Sequence, residues 1–465
     1  MVSDSPARFD RAAIDDALDR ASTTRHLVLE SNVLPHVGSL IRQHLPGRTV
    51  LLICDEMTRS IAAETVRASI IASGISLAPD IVLTGMPQVA PDLANVAIIR
   101  RGIEAITSPV LPIAVGSGTI NDLTKRAAHE CAVPYAVIAT AASMDGYTAS
   151  GAALIADGVK QTFACAAPVL VIADRDILAT APSAMTASGY GDLLGKLTAG
   201  ADWLIADALE IEPIVPTIWK SVQVPLRGLL DRPERYASGD ANAIEDLFLA
   251  LANSGLAIQA TGSSRPASGS EHQFSHYWEM QGLEIAGRPV SHGFKVGIGS
   301  IVAATLYERL LERDLTTIDV PEVVHRRPSW SDLEATITSM HSRPAIRQKA
   351  LDEMRLKYVS DDALATRLQL VRSSWVTLSD TLRHHLMPAH DIAQMLNAAG
   401  APSHPADIGL TLDQIRLSYY AASHIRRRYT VFDLVHDLGL FDELLEELFN
   451  ASGYWLTSVA ISGGS

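Results

Sequence analysis

VLPIAVGSGTINDLTKRAAHECA, from Val110 to Ala132, places a short apolar run directly before a glycine turn and an amphipathic stretch. Short apolar runs bounded by turn residues are typical of buried strands, and apolar residues at helical spacing are typical of amphipathic helices. The segment therefore predicts a strand over VLPIAVGSG, which ends at Gly118, and a helix over TINDLTKRAAHECA, which begins at Thr119. Repeated units of this kind build a parallel sheet that is covered by helices on both faces.

The same alternation extends from about residue 48 to residue 180. The predicted strands are RTVLLICDEMT, APDIVLTG, VLPIAVGSG, PYAVIATAAS and PVLVIAD. The predicted helices between them are RSIAAETVRASIIAS, PDLANVAIIRRGIEAIT and TINDLTKRAAHECA. We therefore expect residues 1–183 to form an α/β, Rossmann-like, NAD(P)-binding domain whose ligand lies beyond the carboxyl ends of the strands.

From about residue 184 the pattern changes to long helical stretches, such as SAMTASGYGDLLGKLTAGADWLIADALE and VGIGSIVAATLYERLLER. We expect residues 184–465 to form an all-α domain that binds metal and substrate. Because we find no internal repeat or low-complexity linker, we expect direct packing of the domains and an active site in the interdomain cleft. The helices after about residue 315 have no role that the sequence identifies; they could form core or a dimer surface.

The composition limits the possible partners. The chain has 465 residues, a hydrophobic content of 48% and a net charge of −14, which argues against binding to nucleic acid or anionic membranes. Its three cysteines show no CxxC spacing, which fits a reducing compartment. The opening residues lack the apolar core of a signal peptide, and no later apolar run reaches the length of a membrane span. We expect a cytoplasmic protein.

The turn VGSGTIND, Val115 to Asp122, is a candidate phosphate-binding loop. Gly116 and Gly118 would let the backbone approach a phosphate, and the N–H groups at the helix start would bind it. It differs from GxGxxG because Asn121 stands where the third glycine would be. A glycine turn that merely ends a strand explains the segment equally well.

The segment ATAASMDGYTASGAALIADGVKQT, Ala139 to Thr162, is rich in small residues. Small residues leave room for a ligand to lie against the backbone, and Asp145 is the only carboxylate in the first half. A tightly packed crossover would also account for the small residues, but it would not need Asp145 followed by Gly146.

Asp55 stands at the end of an early predicted strand, in LLICDEMT. A carboxylate there can bind the adenosine ribose and repel a 2′-phosphate, which favours NAD over NADP. An N-cap of the next helix explains Asp55 equally well.

His272 and His276 lie four residues apart in RPASGSEHQFSHYWEM, Arg265 to Met280. On a helix they would share one face, which permits metal binding without requiring it. Asp192 in SGYGDLLGK and His292 in SHGFKVGIG could join a histidine in a Zn²⁺ or Fe²⁺ site. Their spacings match no short metal motif, so the pattern alone leaves the site unproven.

Taken together, GSGTIND, TAASMDG, SGYGDLLGK, SRPASGSEHQFSHYWEM and HGFKVGIG resemble the sn-glycerol-1-phosphate dehydrogenase family. That family belongs to the superfamily of iron-containing alcohol dehydrogenases, glycerol dehydrogenases and dehydroquinate synthases. The resemblance covers roughly residues 25–310. It implies a dehydroquinate synthase-like fold and hydride transfer between NAD(P)H and dihydroxyacetone phosphate, which yields sn-glycerol 1-phosphate. It also implies one divalent metal, with zinc favoured over nickel or iron, and leads us to expect a homodimer.

The resemblance also implies roles for individual residues. Asp192, His272 and His292 would bind the metal, Asp145 and Asp192 would contact the substrate, and His276 would contact the substrate or relay a proton. Residues expected to bind the cofactor are Asp55, Gly116, Ser117, Gly118, Thr119, Ile120, Asn121, Asp122, Thr140, Ala141, Ala142 and Ser143. Ala149 departs from the pattern because relatives often have Ser there, so a hydroxyl contact is lost or moves to Thr148 or Ser150. Dehydroquinate synthases have Glu at the position of Phe294. This difference argues against the interpretation that the chain is a synthase of that kind.

The proposed reaction places negative charge on the C2 oxygen of the substrate, which a metal would stabilise as a Lewis acid. His276, with an unshifted pKa near ~6.5, could deliver the proton. Arg265 is expected to bind the substrate phosphate because dehydroquinate synthases have an arginine at a similar offset, and Ser268 to Ser270 could add donors. Lys160 is a weaker candidate for binding the substrate phosphate. The alternatives are a lyase or cyclase that uses NAD only transiently, and a regulator without catalytic activity.

Overall fold

The computed structural model describes residues 8–86, 88–156 and 159–457. The described chain forms two compact units. The first comprises the described residues of Met1–Leu193, Lys220–Ser264 and Ala398–Ala401, and the second those of Leu194–Trp219, Arg265–Asn397 and Pro402–Ser465. Residues 220–264 thus lie with the amino-terminal part of the chain. The domain boundary at residue 183 stays a prediction.

Within the described part of the chain, six parallel strands form one sheet in the order β1-β8-β5-β4-β2-β3. The strands of this unit are β1 His26–Glu30, β2 Thr49–Asp55, β3 Ile81–Leu83, β4 Val110–Gly116, β5 Ala136–Ala139, β6 Ala152–Ala156, β7 Val159–Phe163 and β8 Leu170–Asp174. Strands β6 and β7 pair separately as an antiparallel hairpin. The predicted parallel sheet is confirmed, and the sequence missed β1 because only three apolar residues stand between His26 and Glu30.

The helices up to residue 261 are α1 Ala12–Arg20, α2 Val37–His44, α3 Glu56–Thr58, α4 Glu64–Ala72, α5 Leu93–Glu104, α6 Gly118–Glu130, α7 Arg175–Thr180, α8 Ser183–Leu194, α9 Lys196–Ala208, α10 Pro216–Leu230, α11 Glu234–Ala237 and α12 Ala241–Thr261. The three helices predicted between the strands are present as α4, α5 and α6. Short 3₁₀ turns cover Leu34–His36 and Asp145–Tyr147, and a π-helical turn covers Arg59–Ala63.

The core of the first unit lies on the sheet. Every residue of β4 is buried, as expected for a central strand that is covered on both faces. On one face, Leu52 and Ile113 pack with Ile41 of α2 and with Val66 and Ile70 of α4. Each fully buried aliphatic side chain stabilises the fold by about 1.5–3 kcal/mol relative to exposure. This burial keeps the strand ends, and the loops that follow them, in place.

The second half of the chain is helical, as predicted. Its helices are α13 Ser270–Gln281, α14 His292–Leu311, α15 Val320–Arg326, α16 Trp330–Met340, α17 Pro344–Lys357, α18 Asp361–His385, α19 Ala389–Ala398, α20 Leu412–Ser423, α21 Val431–Asp437 and α22 Phe441–Phe449. Further 3₁₀ turns cover Leu315–Thr317 and Pro405–Ile408, and a small antiparallel hairpin joins β9 Glu284–Ile285 to β10 Arg288–Pro289. None of the described helices is both long and apolar enough to span a membrane.

Helices α13 and α14 approach each other unusually closely at Gly299. A Cβ atom at this position would lie 2.5 Å from the carbonyl oxygen of Glu271, which is nearer than real Cβ contacts allow. The glycine in HGFKVGIG therefore has a packing function. It lets the helix that begins at His292 lie against the helix that carries His272.

Candidate active site

Among the described residues, Asp192, His272 and His292 form a group that could hold a metal ion. One ligand atom from each lies within 4.8 Å of the others. Asp192 and His272 are buried, and the His292 side chain is 26% exposed. One carboxylate and two imidazoles suit zinc or non-haem iron, and three protein ligands leave a coordination position open. The structure thus brings together the three residues that the resemblance implied.

Buried Glu271 orients His272. Its Oε1 atom lies 2.7 Å from Nδ1 of His272 and also accepts the N–H of Gly269 at 2.7 Å. Its Oε2 atom accepts the hydroxyl of Thr198 at 2.8 Å. Because Nδ1 of His272 faces a carboxylate, Nε2 is the nitrogen left to bind a metal.

Glu279 orients two further histidines. Its Oε1 lies 3.2 Å from Nδ1 of His292, and its Oε2 lies 3.4 Å from Nδ1 of His276. The buried amine of Lys295 lies 3.2 Å from the same Oε1 atom. Neither Glu271 nor Glu279 is among the residues predicted from the sequence. The available signal for Glu279 was its position three residues after His276, on the same face of α13.

His276 lies beside the metal-binding group. Its ring centroid is 6.1 Å from that of His272 and 6.2 Å from that of His292. Burial lowers the pKa of His276 to about 4, although Glu279 opposes this shift. The expectation of an unshifted pKa was wrong, because desolvation disfavours the charged imidazolium. His276 is therefore neutral near pH 7.

Asp145 is held against the proposed metal ligand Asp192. Its backbone N–H donates to Oδ2 of Asp192 at 2.9 Å. Asp145 begins a 3₁₀ turn in which the Met144 sulfur accepts the N–H of Gly146 at 2.8 Å. The fold therefore places the backbone of Asp145 beside Asp192, and the substrate contact of Asp145 stays a prediction.

The candidate phosphate loop has the predicted form. β4 ends at Gly116, and α6 begins at Gly118 with Ser117 at its N-cap position, where the serine side chain makes no capping hydrogen bond. A Cβ at Gly116 would lie 2.9 Å from Cβ of Ile120, and one at Gly118 would lie 3.0 Å from Cε of Met144. Close packing thus accounts for Gly116, whereas the flexible end of Met144 can move to admit a Cβ at Gly118. The phosphate contact stays a prediction.

Asn121 and Asp122 tie α6 to the segment that carries Asp145. The Asn121 amide donates to the carbonyl of Gly146 at 3.1 Å, and Asp122 accepts the N–H of Ala153 at 3.0 Å. The buried amine of Lys125 donates to Asp122 at 3.2 Å and to Gly146 at 3.0 Å. The side chains of Asn121, Asp122 and Lys125 thus have a structural role that does not depend on a ligand at the start of α6.

Tight packing also explains the small residues after β5. Thr140, Ala141, Ala142 and Ser143 are all buried. A Cβ at Gly189 of α8 would lie 1.9 Å from the carbonyl oxygen of Ala142, and one at Gly255 of α12 would lie 2.1 Å from Oγ1 of Thr148. The Thr148 hydroxyl donates to the carbonyl of Ala252 at 2.7 Å. Asp157 and Gly158, later in this segment, lie outside the described residues.

Comparison with known proteins identifies the family of this chain. Residues 28–182 match the family model of iron-containing alcohol dehydrogenases. The glycerol-1-phosphate dehydrogenase (NAD(P)⁺) of Geobacillus thermodenitrificans is 42% identical over 276 residues, which cover 55% of this chain and 68% of that protein. The corresponding enzyme of Pyrococcus horikoshii is 30% identical over 285 residues, covering 61% and 78%. The chain belongs to the glycerol-1-phosphate dehydrogenase family.

A solved structure confirms the fold of this glycerol-1-phosphate dehydrogenase family member. The glycerol dehydrogenase of Schizosaccharomyces pombe matches with a TM-score of 0.58 over 95% of this chain and 92% of that one. The sequences are only 14% identical, so this likeness concerns the fold alone. An α/β part followed by a helical part is thus shared with the superfamily that the sequence resembles.

In this family member Asp55 acts as the N-cap of α3. Its Oδ1 accepts the N–H of Thr58 at 2.7 Å and the Thr58 hydroxyl at 2.8 Å, and its own N–H donates to that hydroxyl at 3.1 Å. This reciprocal capping box is the structural alternative that the sequence left open. The preference for NAD stays a prediction.

Arg265, expected to bind phosphate, is nearly inaccessible in this family member. Its side chain is 1% exposed and donates to Glu212 at 2.7 and 2.8 Å and to the carbonyl of Tyr429 at 2.8 Å. The N–H groups of Gly269 and Ser270 donate to the carboxylates of Glu271 and Asp202. These backbone donors, which the sequence suggested for phosphate, are thus engaged by buried acids.

Proposed function

We propose that the chain is a metal-dependent oxidoreductase that interconverts dihydroxyacetone phosphate and sn-glycerol 1-phosphate by hydride transfer with NAD(P)H. The observation that carries this proposal is the group of Asp192, His272 and His292, with Asp145 and His276 beside it, in a chain whose relatives are named for this activity. NAD(P)H would bind at the start of α6, where N–H groups can hold its pyrophosphate.

Asp192, His272 and His292 would hold the metal. The fit is good because Glu271 and Glu279 engage Nδ1 of the two histidines, so that Nε2 of each can coordinate. A divalent cation bound there supplies Lewis acidity that stabilises negative charge on the C2 oxygen of the substrate. Zinc is favoured by the ligand set, with nickel and iron as alternatives.

Asp145 and His276 would handle the rest of the substrate. Asp145 would accept a hydrogen bond from a substrate hydroxyl. This contact would hold the carbon that receives hydride in position. Neutral His276, oriented by Glu279, would pass a proton between solvent and the C2 oxygen in either direction. We further propose that the protein works as a homodimer in the cytoplasm.

The test is oxidation of NADH and of NADPH by dihydroxyacetone phosphate, with and without a chelator. We expect stoichiometric oxidation that the chelator abolishes and added zinc, nickel or iron restores. His272→Ala should lose bound metal and activity together. Full metal content in that variant, or no net NAD(P)H oxidation by the metal-loaded protein, would contradict the proposal.

A further inference from the structure

Within the described residues, three arginine side chains of the second unit meet around the loop that precedes α13. Arg426 donates from Nη1 to the hydroxyl of Ser268 at 3.0 Å, and Arg428 donates from Nη1 to the carbonyl of Ser268. Arg265, three residues before Ser268, donates to the carbonyl of Tyr429 at 2.8 Å. We call Arg265, Arg426 and Arg428 the arginine cluster. Two of its members come from the connection between α20 and α21.

The members of the arginine cluster differ in exposure. Arg265 is 1% exposed and is paired with Glu212. Arg426 and Arg428 are only partly buried. A solute can therefore reach Arg426 and Arg428, whereas Arg265 is almost closed to solvent.

Positive charge accumulates at this cluster. Burial, followed by the charges of Arg426 and Arg265, holds the pKa of Arg428 well below its ordinary value. Burial also lowers the pKa of Arg426; the charges of Glu353 and Glu271 oppose this shift, and that of Arg265 adds to it. Like charges in a partly desolvated site repel each other, and a bound anion offsets this cost. A phosphate dianion, with several acceptor oxygens, matches the paired N–H donors of two guanidinium groups.

The arginine cluster lies close to the proposed reaction centre. Ser268, whose hydroxyl accepts from Arg426 at 3.0 Å, precedes His272 by four residues. The Gln273 amide, on the first turns of α13, donates to the carbonyl of Arg428 at 3.4 Å. On the same turns, the buried Ser270 hydroxyl and the Gln273 amide oxygen have no hydrogen-bond partner among the described residues. The start of α13 thus offers polar groups beside the arginines.

We propose that Arg426 and Arg428 bind the phosphate group of the substrate and that Arg265 holds this pair in position from behind. Arg265 contributes as a positioning residue through the Tyr429 carbonyl, which lies one residue after Arg428. The phosphate would therefore contact Arg426 and Arg428, which are more exposed than Arg265, the residue predicted from the sequence. The identification of the anion as a substrate phosphate rests on the proposed function. The proposal gives a role to a region after residue 315 for which sequence analysis identified none.

The test compares Arg426→Gln and Arg428→Gln with Arg427→Gln in the full-length, metal-loaded protein. Arg427 is the matched control because it lies between the two, carries the same charge and is 72% exposed. We expect KM for sn-glycerol 1-phosphate to rise roughly 10- to 100-fold in each cluster variant, as for loss of a charge-assisted hydrogen bond. The KM of the Arg427 variant should stay within about twofold of the wild-type value, because exposed charges contribute little to binding. KM should rise less in Arg428→Lys than in Arg428→Gln.

Calorimetric titration with inorganic phosphate separates this inference from the proposed function. Phosphate should bind the wild type and Arg427→Gln, and should bind Arg426→Gln and Arg428→Gln at least about tenfold more weakly. Arg428-dependent phosphate binding without NAD(P)H oxidation would refute the function but support the anion site. Normal turnover with an unchanged KM in both cluster variants would refute the anion site and support the function. If Arg428→Gln fails to fold, Arg426→Gln and Arg428→Lys decide the question.

Discussion

Glu271 and Glu279 influence the proposed metal site without binding the metal. Each fixes the Nδ1 side of an imidazole, which sets the tautomer and the direction of Nε2. Both glutamates are buried, so their charges act with little screening by water. Their position next to proposed ligands could be read from the sequence. Their function could not, because glutamates on a helix most often face solvent.

Glu271→Gln should weaken metal binding roughly 10- to 100-fold, since the amide is a poorer acceptor for Nδ1–H and carries no charge. Metal affinity would be measured by competition with a chelator of known affinity. Glu284→Gln, an exposed substitution in the hairpin after α13, is the control and should leave affinity unchanged. Equal affinity in the two variants would mean that Glu271 does not support His272.

His276→Gln separates proton transfer from metal binding. The variant should keep its metal, because His276 is not among the three residues whose ligand atoms meet. Its kcat should fall roughly 10²- to 10⁴-fold, the usual contribution of a positioned acid–base group. Metal analysis and steady-state kinetics on the same preparation check both points, and an unchanged kcat would remove His276 from the mechanism.

At the scale of secondary-structure elements, small residues decide how closely the helices of the site approach their neighbours. Gly189 lets α8, which carries Asp192, approach the carbonyl of Ala142. Gly299 lets α14, which begins at His292, approach α13 at Glu271. The helical periodicity of these segments was visible in the sequence. The partner of each glycine was not, because it depends on residues far away in the chain.

Gly299→Ala should damage the metal site although residue 299, seven residues after His292 on α14, is not itself a proposed ligand. The added methyl group would push α14 away from the α13 backbone, at a cost of about 1–3 kcal/mol, and would shift His292 relative to His272. We expect a lower Tm and weaker metal binding. Thermal unfolding and chelator competition test this, and wild-type values in both would show that the two helices adjust freely.

At the scale of the whole molecule, metal binding and folding are coupled. Asp192, His272 and His292 come together only in the folded chain, since 80 and 20 residues separate them in sequence. A metal that binds the native state alone stabilises it by about 2.7 kcal/mol when its free concentration is 100 times Kd. Chelation should therefore lower Tm by an amount that grows with the metal concentration of the loaded sample. The Tm of His272→Ala should not respond to the chelator; a response equal to the wild type would place the metal elsewhere.

The sequence by itself determined the α/β part and the helical part, because strand and helix periodicity are local properties of the chain. Its motifs, through their family resemblance, also predicted Asp192, His272 and His292 as metal ligands, and the structure brings these three residues together. Tertiary structure decided what local patterns do not encode: the return of residues 220–264 to the first unit, the contacts of Glu271 and Glu279, and the meeting of Arg426 and Arg428 with Ser268. These features depend on burial and on proximity between distant residues, which only the packing of the complete chain produces.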